Sequence, residues 1–345
     1  MKLDNEIKLD FGDVLIRPKR SELSSRSEVN VENKFTFKHS NLSWSGIPII
    51  CSNMDTTGTI SMYNSISNYK LITCFHKYID VDEIISNHCS PHYFMLSTGI
   101  SDNDLKTLQE KIQKLSDNDI NVEFICVDVA NGYMFKLVEF CKKIRELYPN
   151  KTIVAGNVVT REMVEELIIN GKVDIVKVGI GSGAVCTTRL QTGVGMPQFS
   201  SVMECSDAAH GLGGHIISDG GVCCPGDVSK AIGAGSDFVM MGSMFSGHDE
   251  CTGSLVSENG KSYKLFYGMS SDTAMNKYHG GVANYRSSEG KTVKVPYKGK
   301  VEDTVNNILG GIRSTCTYVG AKNIKDLGKC CTFMRVNRQV NNFYK

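Results

Sequence analysis

The stretch from Glu123 to Val178, EFICVDVANGYMFKLVEFCKKIRELYPNKTIVAGNVVTREMVEELIINGKVDIVKV, decides the fold class. It contains three short apolar runs that are typical of buried strands, and two segments with helical periodicity lie between them. The strand segments are Glu123–Val127, Thr152–Ala155 and Asp174–Val178, and the helical segments are Tyr133–Leu147 and Arg161–Ile169. Strands that alternate with helices in this way predict βα units and a parallel sheet.

The same rhythm extends in both directions along the chain. Five further apolar runs bring the number of predicted strands to eight, and helical segments such as Asp102–Leu115 fill the gaps. The further strands are Ile47–Cys51, Leu71–Phe75, Tyr93–Ser97, His215–Ser218 and Phe238–Met241. Eight alternating units favour an α/β fold closed into a (β/α)8 TIM barrel. An open doubly wound sheet is the alternative, but no G-x-G-x-x-G motif follows any predicted strand.

Two regions do not fit the repeat. Residues 1–46 precede the first strand, and residues 251–300 separate the eighth strand from a last helix near Val301–Val319. The second region is rich in Gly, Ser, Tyr and Lys, has little apolar periodicity and is expected to lack regular structure, which is usual for a lid or binding loop. We therefore expect one domain over residues 1–345, with an N-terminal extension and an active-site flap inserted after strand 8.

Composition narrows the class of partner. The 345 residues include 38 basic and 37 acidic side chains, and a net charge of +1 gives no electrostatic footprint for nucleic acid or an anionic membrane. Thirteen cysteines without any C-x-x-C pair indicate reduced thiols and a cytoplasmic protein. The charged N-terminus lacks the apolar stretch of a signal peptide. Small molecules and sister subunits are the expected partners.

Glycines follow the seventh and eighth predicted strands. The loops read Asp219-Gly220-Gly221 and Gly242-Ser243. In barrels of this class the loops after these strands often bind phosphate, and glycine lets backbone N–H groups approach an anion. Asp219 is then a candidate acceptor for ribose hydroxyls. The alternative is that these glycines only make tight turns.

A cysteine ends the glycine-rich loop after the sixth strand. This loop runs from Gly179 to Arg189, and Cys186 is a candidate nucleophile because it lies on the predicted active face. A small buried hydrophobe is the ordinary role of a cysteine in such a chain. Carbonyls of the same loop are candidate ligands for a monovalent cation, with simple flexibility as the alternative.

Charged and polar groups also occur in two other loops. In the segment Tyr285–Lys291, Arg286 is a candidate phosphate ligand and Glu289 a candidate for moving protons or binding a base edge. A solvated charged loop is the alternative. The segment Asp128–Gly132 indicates either a cofactor contact or a plain helix N-terminus. The spacing of the histidines matches no metal template.

Seven motifs occur in a characteristic order. They are Asp13–Pro18, Asn53–Asp55, Asp128–Gly132, Ala155–Val158, the Cys186 loop, Ser218–Gly221 and Ser287–Gly290. With these motifs the chain resembles the IMP dehydrogenase and GMP reductase family over nearly its whole length. Three segments favour the reductase branch: Thr187-Thr188-Arg189 after Cys186, the segment Tyr285–Val293, and Gly310–Tyr318. The chain also has no room for the regulatory module that the dehydrogenases usually carry.

The resemblance implies a mechanism. Cys186 attacks C2 of the GMP purine, ammonia leaves, and NADPH delivers hydride to the same carbon to give IMP. Thr188 and Glu289 then form the proton relay to the departing amine. A homotetramer is also implied. An IMP dehydrogenase without its regulatory module and a non-catalytic purine-nucleotide-binding barrel are the alternatives.

The resemblance also assigns contacts residue by residue. Implied GMP contacts are Asp219, Gly220, Gly221, Gly242, Ser243, Gly268, Met269, Ser270, Arg286, Ser288 and Gly290. Implied cofactor contacts are Ser25, Arg26, Lys77, Asp128, Val129, Ala130, Ile180, Gly181, Met269, Tyr285, Arg286, Ser314, Thr315, Cys316 and Thr317. The implied potassium-type site uses carbonyls of Gly181, Gly183 and Cys186, with Arg189 nearby. The chain departs from the family pattern at Ser182, Ser243, Met196 and the segment His76-Lys77-Tyr78, and none of these departures removes a catalytic group.

Overall fold

Eight parallel strands close into a barrel in the computed structural model, which describes residues 3–281 and 287–337. In chain order the strands are β1 (Val14–Ile16), β2 (Asn33–Thr36), β3 (Ser43–Gly46), β4 (Ile49–Cys51), β5 (Ile72–Phe75), β6 (Phe94–Thr98), β7 (Phe124–Asp128), β8 (Thr152–Val158), β9 (Ile175–Val178), β10 (His215–Asp219), β11 (Phe238–Met241), β12 (Leu255–Glu258), β13 (Lys261–Tyr267), β14 (Thr292–Pro296) and β15 (Phe333–Arg335). Strands β4 to β11 form the barrel, and β11 pairs with β4 to close it.

Helices surround this barrel. They are α1 (Ile60–Ile66), α2 (Val81–Ser86), α3 (Asp102–Ser116), α4 (Phe135–Leu147), α5 (Arg161–Ile169), α6 (Thr188–Thr192), α7 (Gln198–Gly211), α8 (Pro225–Gly233), α9 (Asp272–His279), α10 (Val301–Val319) and α11 (Leu327–Cys330). The prediction of a (β/α)8 barrel is confirmed, and each of the eight predicted strands corresponds to one barrel strand. No helix among the described residues is long and apolar enough to cross a membrane.

Local sequence explains these elements. Helix α3 begins after a capping box, in which the Ser101 hydroxyl accepts from the Asp104 N–H and the Asp104 carboxylate accepts from the Ser101 N–H. Its buried residues include Leu105, Leu108 and Ile112, which recur at helical spacing and face the barrel. The barrel strands are buried on both faces, as expected for a parallel sheet covered by helices.

An aromatic cluster closes the end of the barrel where the strands begin. Strands β2 and β3 form an antiparallel hairpin that pairs Phe35 with Trp44. Together with Phe37, these rings pack on Phe124 and Phe238, the first residues of β7 and β11. We call these five residues the aromatic plug. The other end of the barrel, where the strands finish, is left for the loops.

The structure corrects the expectation for residues 251–300, which we call the insertion. Its described part is not structureless, because β12, β13 and β14 form an antiparallel sheet and α9 follows β13. Strand β14 alternates between exposed and half-buried residues, with Val293 and Val295 on the half-buried face. This period of two is the strand signal, but it is weak because the strand is short and its other face is polar.

Candidate active site

A cavity of about 260 Å³ opens at the end of the barrel where the strands finish. Its walls come from the last residues of β7 to β11, from the loops after β4, β7, β9, β10 and β11, and from the insertion. All three residues expected to be catalytic, Cys186, Thr188 and Glu289, line it. The barrel topology therefore brings together side chains that are separated by as many as 103 positions in the sequence, as between Cys186 and Glu289.

These three side chains form a hydrogen-bonded chain. The Cys186 Sγ donates to the Thr188 Oγ1 at 3.2 Å, and the Thr188 hydroxyl donates to the Glu289 Oε2 at 2.7 Å. All three residues are only partly buried. A proton can pass along this chain from the thiol to the carboxylate, or from the carboxylate back toward a group bound at Cys186.

Backbone pairing holds Glu289 in this position. The end of the insertion lies antiparallel to the Cys186 loop, with the Thr187 N–H donating to the Glu289 carbonyl at 2.8 Å and the Lys291 N–H donating to the Val185 carbonyl at 2.9 Å. On its other side, the Glu289 N–H donates to the Ser270 carbonyl at 3.2 Å. A Cβ at Gly290 would lie 2.9 Å from the backbone nitrogen of Ser271, so the close packing here requires glycine.

The loop after β10 is shaped for close approach to a ligand. Gly220 and Gly221 both have positive φ, at 81° and 76°, which side-chain-bearing residues rarely adopt. The carbonyl of Asp219 accepts from the Ser182 hydroxyl at 2.9 Å. Ser182, one of the departures from the family pattern, thus ties the Cys186 loop to the end of β10.

A buried lysine lies between two carboxylates below the cavity. The Lys177 Nζ is 2.8 Å from the Asp128 Oδ1 and 2.9 Å from the Asp219 Oδ2, and the lysine side chain is 2% exposed. Burial alone would lower the pKa of Lys177, but the two carboxylates outweigh it and raise the pKa well above its ordinary value. Conversely, burial would raise the pKa of Asp128, and the charge and hydrogen bond of Lys177 lower it. Lys177 and Asp128 are therefore both charged at neutral pH.

Sequence reasoning gave Lys177 no role. The residue interrupts the apolar strand β9, Ile175-Val176-Lys177-Val178, and a charged residue in a buried strand is the signal that was available. Asn53 and Asn157 belong to two of the seven sequence motifs, Asn53–Asp55 and Ala155–Val158, which assign them no role. Their amide groups donate to Asp128 at 2.9 Å and to Asp219 at 2.8 Å, so both asparagines help to orient the carboxylates.

Two buried oxygen atoms in the cavity wall have no hydrogen-bond partner among the described residues. They are the Ser52 Oγ and the Asn157 Oδ1. A buried polar atom without a partner costs about 1–3 kcal/mol. A polar ligand with donor groups would satisfy both atoms, which fits a nucleotide better than an apolar molecule.

The expected GMP contacts fall mainly on the cavity wall. Eight of them line it: Asp219, Gly220, Gly221, Gly242, Ser243, Gly268, Met269 and Ser270. Ser288 and Gly290 lie directly behind this wall, since the Ser288 hydroxyl donates to the carbonyls of Ser270 and Gly290 at 3.2 and 3.0 Å. Arg286 lies outside the described residues.

The expected cofactor contacts divide into two groups. Six of them line the cavity: Asp128, Val129, Ala130, Ile180, Gly181 and Met269. The remaining described ones, Ser25, Arg26, Lys77, Ser314, Thr315, Cys316 and Thr317, do not line it. Of these, Ser25 and Arg26 belong to a turn that packs on α10, which carries the last four. The thiol of Cys316 is fully buried, and Tyr285 lies outside the described residues.

The expected cation ligands lie on one loop. Gly181 and Gly183 line the cavity, and the Gly183 carbonyl accepts from the Cys186 N–H at 3.0 Å. The Arg189 guanidinium instead donates to the Met196 carbonyl at 2.7 Å and to Asp10 at 3.2 Å, and it has no lone pair to offer a metal. The Thr187 Oγ1, on the same loop, is buried without a partner among the described residues. No group of three or more His, Cys, Asp or Glu in the described part of the chain is arranged to hold a metal ion.

Comparison with known proteins gives a consistent result. The model of the IMP dehydrogenase / GMP reductase domain matches residues 8–341. A GMP reductase of Caenorhabditis elegans is 56% identical, over 99% of this chain and 96% of that protein. GMP reductase 1 of Homo sapiens is 57% identical over 99% of both chains. A GMP reductase of Escherichia coli O81 is 55% identical over 100% of this chain and 99% of that protein.

Proposed function

The chain belongs to the IMP dehydrogenase / GMP reductase family, and from this premise we propose that it converts GMP to IMP and ammonia by NADPH-dependent reductive deamination. The observation that carries the proposal is the hydrogen-bonded chain from Cys186 through Thr188 to Glu289 at the cavity wall. A thiol nucleophile with a connected carboxylate is what replacement of an aromatic amino group requires. Two alternatives were compatible with the sequence, a dehydrogenase of IMP and a non-catalytic barrel. No specific observation favours either of them.

In the proposed first half of the reaction, the amino group leaves. The thiol proton passes through the Thr188 hydroxyl to Glu289, and the Cys186 sulfur forms a bond to C2 of the purine. Glu289 then returns a proton, through Thr188, to the exocyclic nitrogen, because amide ion is too basic to depart unprotonated. Ammonia leaves and C2 remains bonded to sulfur in a thioimidate.

In the second half, C2 is reduced. The nicotinamide cofactor, when bound, supplies a hydride to C2. The C–S bond then breaks, IMP forms, and the electron pair of that bond returns to the Cys186 sulfur as a thiolate. The reaction balances as GMP, NADPH and two protons giving IMP, NADP⁺ and ammonium.

Residues around the cavity suit both ligands. We assign Asp219 to the ribose of GMP and the loops at Gly220–Gly221 and Gly242–Ser243 to its phosphate, because these residues line the cavity and glycine lets backbone N–H groups approach an anion. Asp128, Val129 and Ala130 occupy the other flank and suit the cofactor. Lys177 joins the two flanks, because its ammonium bridges Asp128 and Asp219, and each carboxylate still has oxygen lone pairs that can accept from a hydroxyl.

The proposal also covers the cofactor phosphate, a bound cation and the oligomeric state. Arg26 and Lys77 are the described cations assigned to the extra phosphate of NADPH. A monovalent cation of the potassium type is assigned to carbonyls of Gly181, Gly183 and Cys186. The Thr187 Oγ1 of the same loop, which has no partner in the described part of the chain, is a further polar atom there. We also propose that the protein is a cytoplasmic homotetramer.

The proposed activity can be tested by incubating the purified protein with GMP and NADPH. Loss of NADPH absorbance matched by equal amounts of IMP and ammonia is the expected result. Turnover of IMP with NAD⁺ to XMP, with no consumption of NADPH in the presence of GMP, would contradict it and favour a dehydrogenase. Binding of GMP in a calorimeter without turnover of either substrate pair would favour a non-catalytic barrel.

A further inference from the structure

A buried carboxylate connects the insertion to the barrel. Asp55 lies in the loop after β4, and its side chain is 1% exposed. Three donors converge on its Oδ2, and all three belong to the insertion. They are the Tyr267 hydroxyl at 2.7 Å, the Lys277 ammonium at 2.9 Å and the Tyr278 hydroxyl at 2.8 Å. One barrel residue therefore binds both the end of β13 and the helix α9.

Neighbouring contacts support the same junction. The Asp55 carbonyl accepts from the Thr252 hydroxyl at 2.8 Å, and the Asp55 N–H donates to the Met269 Sδ at 3.5 Å. The ring of Tyr78, in the loop after β5, stacks on Tyr278 with centroids 3.8 Å apart. These contacts place Thr252, Met269 and Tyr278 of the insertion against the loops after β4 and β5.

Asp55 is ionised in this environment. Burial alone would raise its pKa, but the hydrogen bonds from Lys277, Tyr267 and Tyr278 lower the pKa below its ordinary value. Burial and the adjacent carboxylate raise the pKa of Tyr267 to about 12, so this hydroxyl remains a donor at neutral pH. A charged acceptor with three donors makes stronger hydrogen bonds than a neutral one.

A short path leads from this carboxylate to the proton relay. Tyr267 is followed directly by Gly268, Met269 and Ser270, which line the cavity. The Ser270 carbonyl accepts from the Glu289 N–H, and Ser271 forms a bridge to Gly290. The segment that Asp55 holds is thus the surface on which Glu289 rests, and Glu289 reaches Thr188 from that surface.

We propose that Asp55 is a positioning residue for the reaction: it fixes the insertion against the barrel and thereby holds Glu289 within hydrogen-bond distance of Thr188. This inference rests on the proposed function for its catalytic consequence, but not for its structural part. Nothing requires Asp55 to touch either substrate. Its effect passes through Tyr267 and residues 268–271.

The test compares Asp55→Asn with the unaltered protein. The variant is expected to lower kcat for GMP reduction by about 10²-fold, because small displacements of a catalytic group have effects of this size. In Glu289→Gln, the further change Asp55→Asn should cost little, since both act on one relay and such effects are not additive. A residue that supported only the fold would instead lower kcat by the same factor with or without Glu289.

Two further variants distinguish a loss of positioning from a general loss of folding. Tyr278→Phe removes one of the three donors and is expected to lower kcat by a smaller factor, about 3- to 10-fold. Tyr297→Phe is the matched control, because the Tyr297 hydroxyl also donates to a carboxylate outside the insertion, that of Asp249 (2.7 Å), but this contact involves neither Tyr267 nor residues 268–271. It should leave kcat within about twofold.

Amide hydrogen exchange provides a readout without turnover. In Asp55→Asn, exchange in residues 268–271 should become about 10- to 100-fold faster while that of β7 and β8 stays unchanged. An active unaltered protein whose Asp55→Asn variant keeps its kcat, or whose exchange in residues 268–271 is unchanged, would overturn the inference. If the unaltered protein fails to turn over GMP, the proposed function is wrong, and the exchange result still decides whether Asp55 holds the insertion.

Discussion

The two ends of the barrel are built from opposite chemistry. At the aromatic plug, Phe37, Trp44 and Phe238 are fully buried, and the rings of Phe35 and Phe238 lie 4.6 Å apart. At the cavity end the wall is made of glycines, carboxylates and polar side chains, two of whose buried oxygens have no partner among the described residues. The packing that stabilises the barrel therefore lies at one end of the eight strands and the reactive groups lie at the other, as is general for this fold. Substitutions at the two ends should change different observables.

The largest expected effect is loss of the thiol at the cavity end. Cys186→Ala should lower kcat by at least about 10⁴-fold, because no other group in the proposed mechanism can form the bond to C2. Its free energy of unfolding should change little, since the side chain is only half-buried. Steady-state kinetics and urea unfolding measure the two quantities. Cys330→Ala, on α11, is the control and should keep full activity; measurable turnover by Cys186→Ala would refute the assignment.

Interruption of the proton relay should have the next largest effect. Thr188→Val and Glu289→Gln are each expected to lower kcat by about 10²- to 10⁴-fold, the usual contribution of general acid–base catalysis. Thr188→Ser retains the hydroxyl and should retain most of the activity. These values come from steady-state kinetics at saturating GMP and NADPH. Equal activity of the Val and Ser variants would show that the hydroxyl carries no proton.

At the other end, the plug should affect stability and not chemistry. Trp44→Ala is expected to lower the free energy of unfolding by about 3–5 kcal/mol through the cavity that it creates. It also leaves the His92 carbonyl without its donor, which lies 2.7 Å away. Urea unfolding measures the loss, and kcat of the folded fraction should be unchanged. A fall in kcat without a loss of stability would show that the two ends are coupled.

The smallest expected effect is a pH-dependent contribution of His210 to the free energy of unfolding. The hydrogen bond to Asp237 is the main factor that raises the pKa of His210, and His215 faces the same carboxylate from β10 at 3.1 Å. Because the folded pKa of His210 exceeds its unfolded value of 6.5, this contribution is present below about pH 6.5 and is lost as pH rises through the raised value. Since the ring is 46% exposed, we expect less than about 1 kcal/mol.

Unfolding of the unaltered protein and of His210→Gln between about pH 6 and pH 8 measures this contribution. The difference in stability between the two should shrink as pH rises. A difference that grows with pH would contradict the sign. The kcat of His210→Gln should stay unchanged, because the residue lies on α7 and does not line the cavity.

Features that depend on residues close together in the sequence could be predicted, and features that depend on distant residues could not. The barrel strands were predictable because each is a local apolar run such as Ile153–Ala155. Residues 261–267 and 292–296 were missed as strands because their polar faces hide the alternation. The contacts of Asp55 could not be predicted in this way. Tyr267 and Tyr278 are 212 and 223 positions from Asp55 in the sequence, and no local pattern encodes a contact between residues so far apart.

The central claim is that Cys186 forms a covalent bond to the purine during turnover. Protein mixed with GMP and NADPH, quenched in acid and digested, can be examined by mass spectrometry at the peptide that contains Cys186. We expect a fraction of this peptide to carry the mass of GMP less ammonia, and the Glu289→Gln variant to carry less of it. An active enzyme whose Cys186 peptide is always unmodified under the same quench would contradict the covalent mechanism.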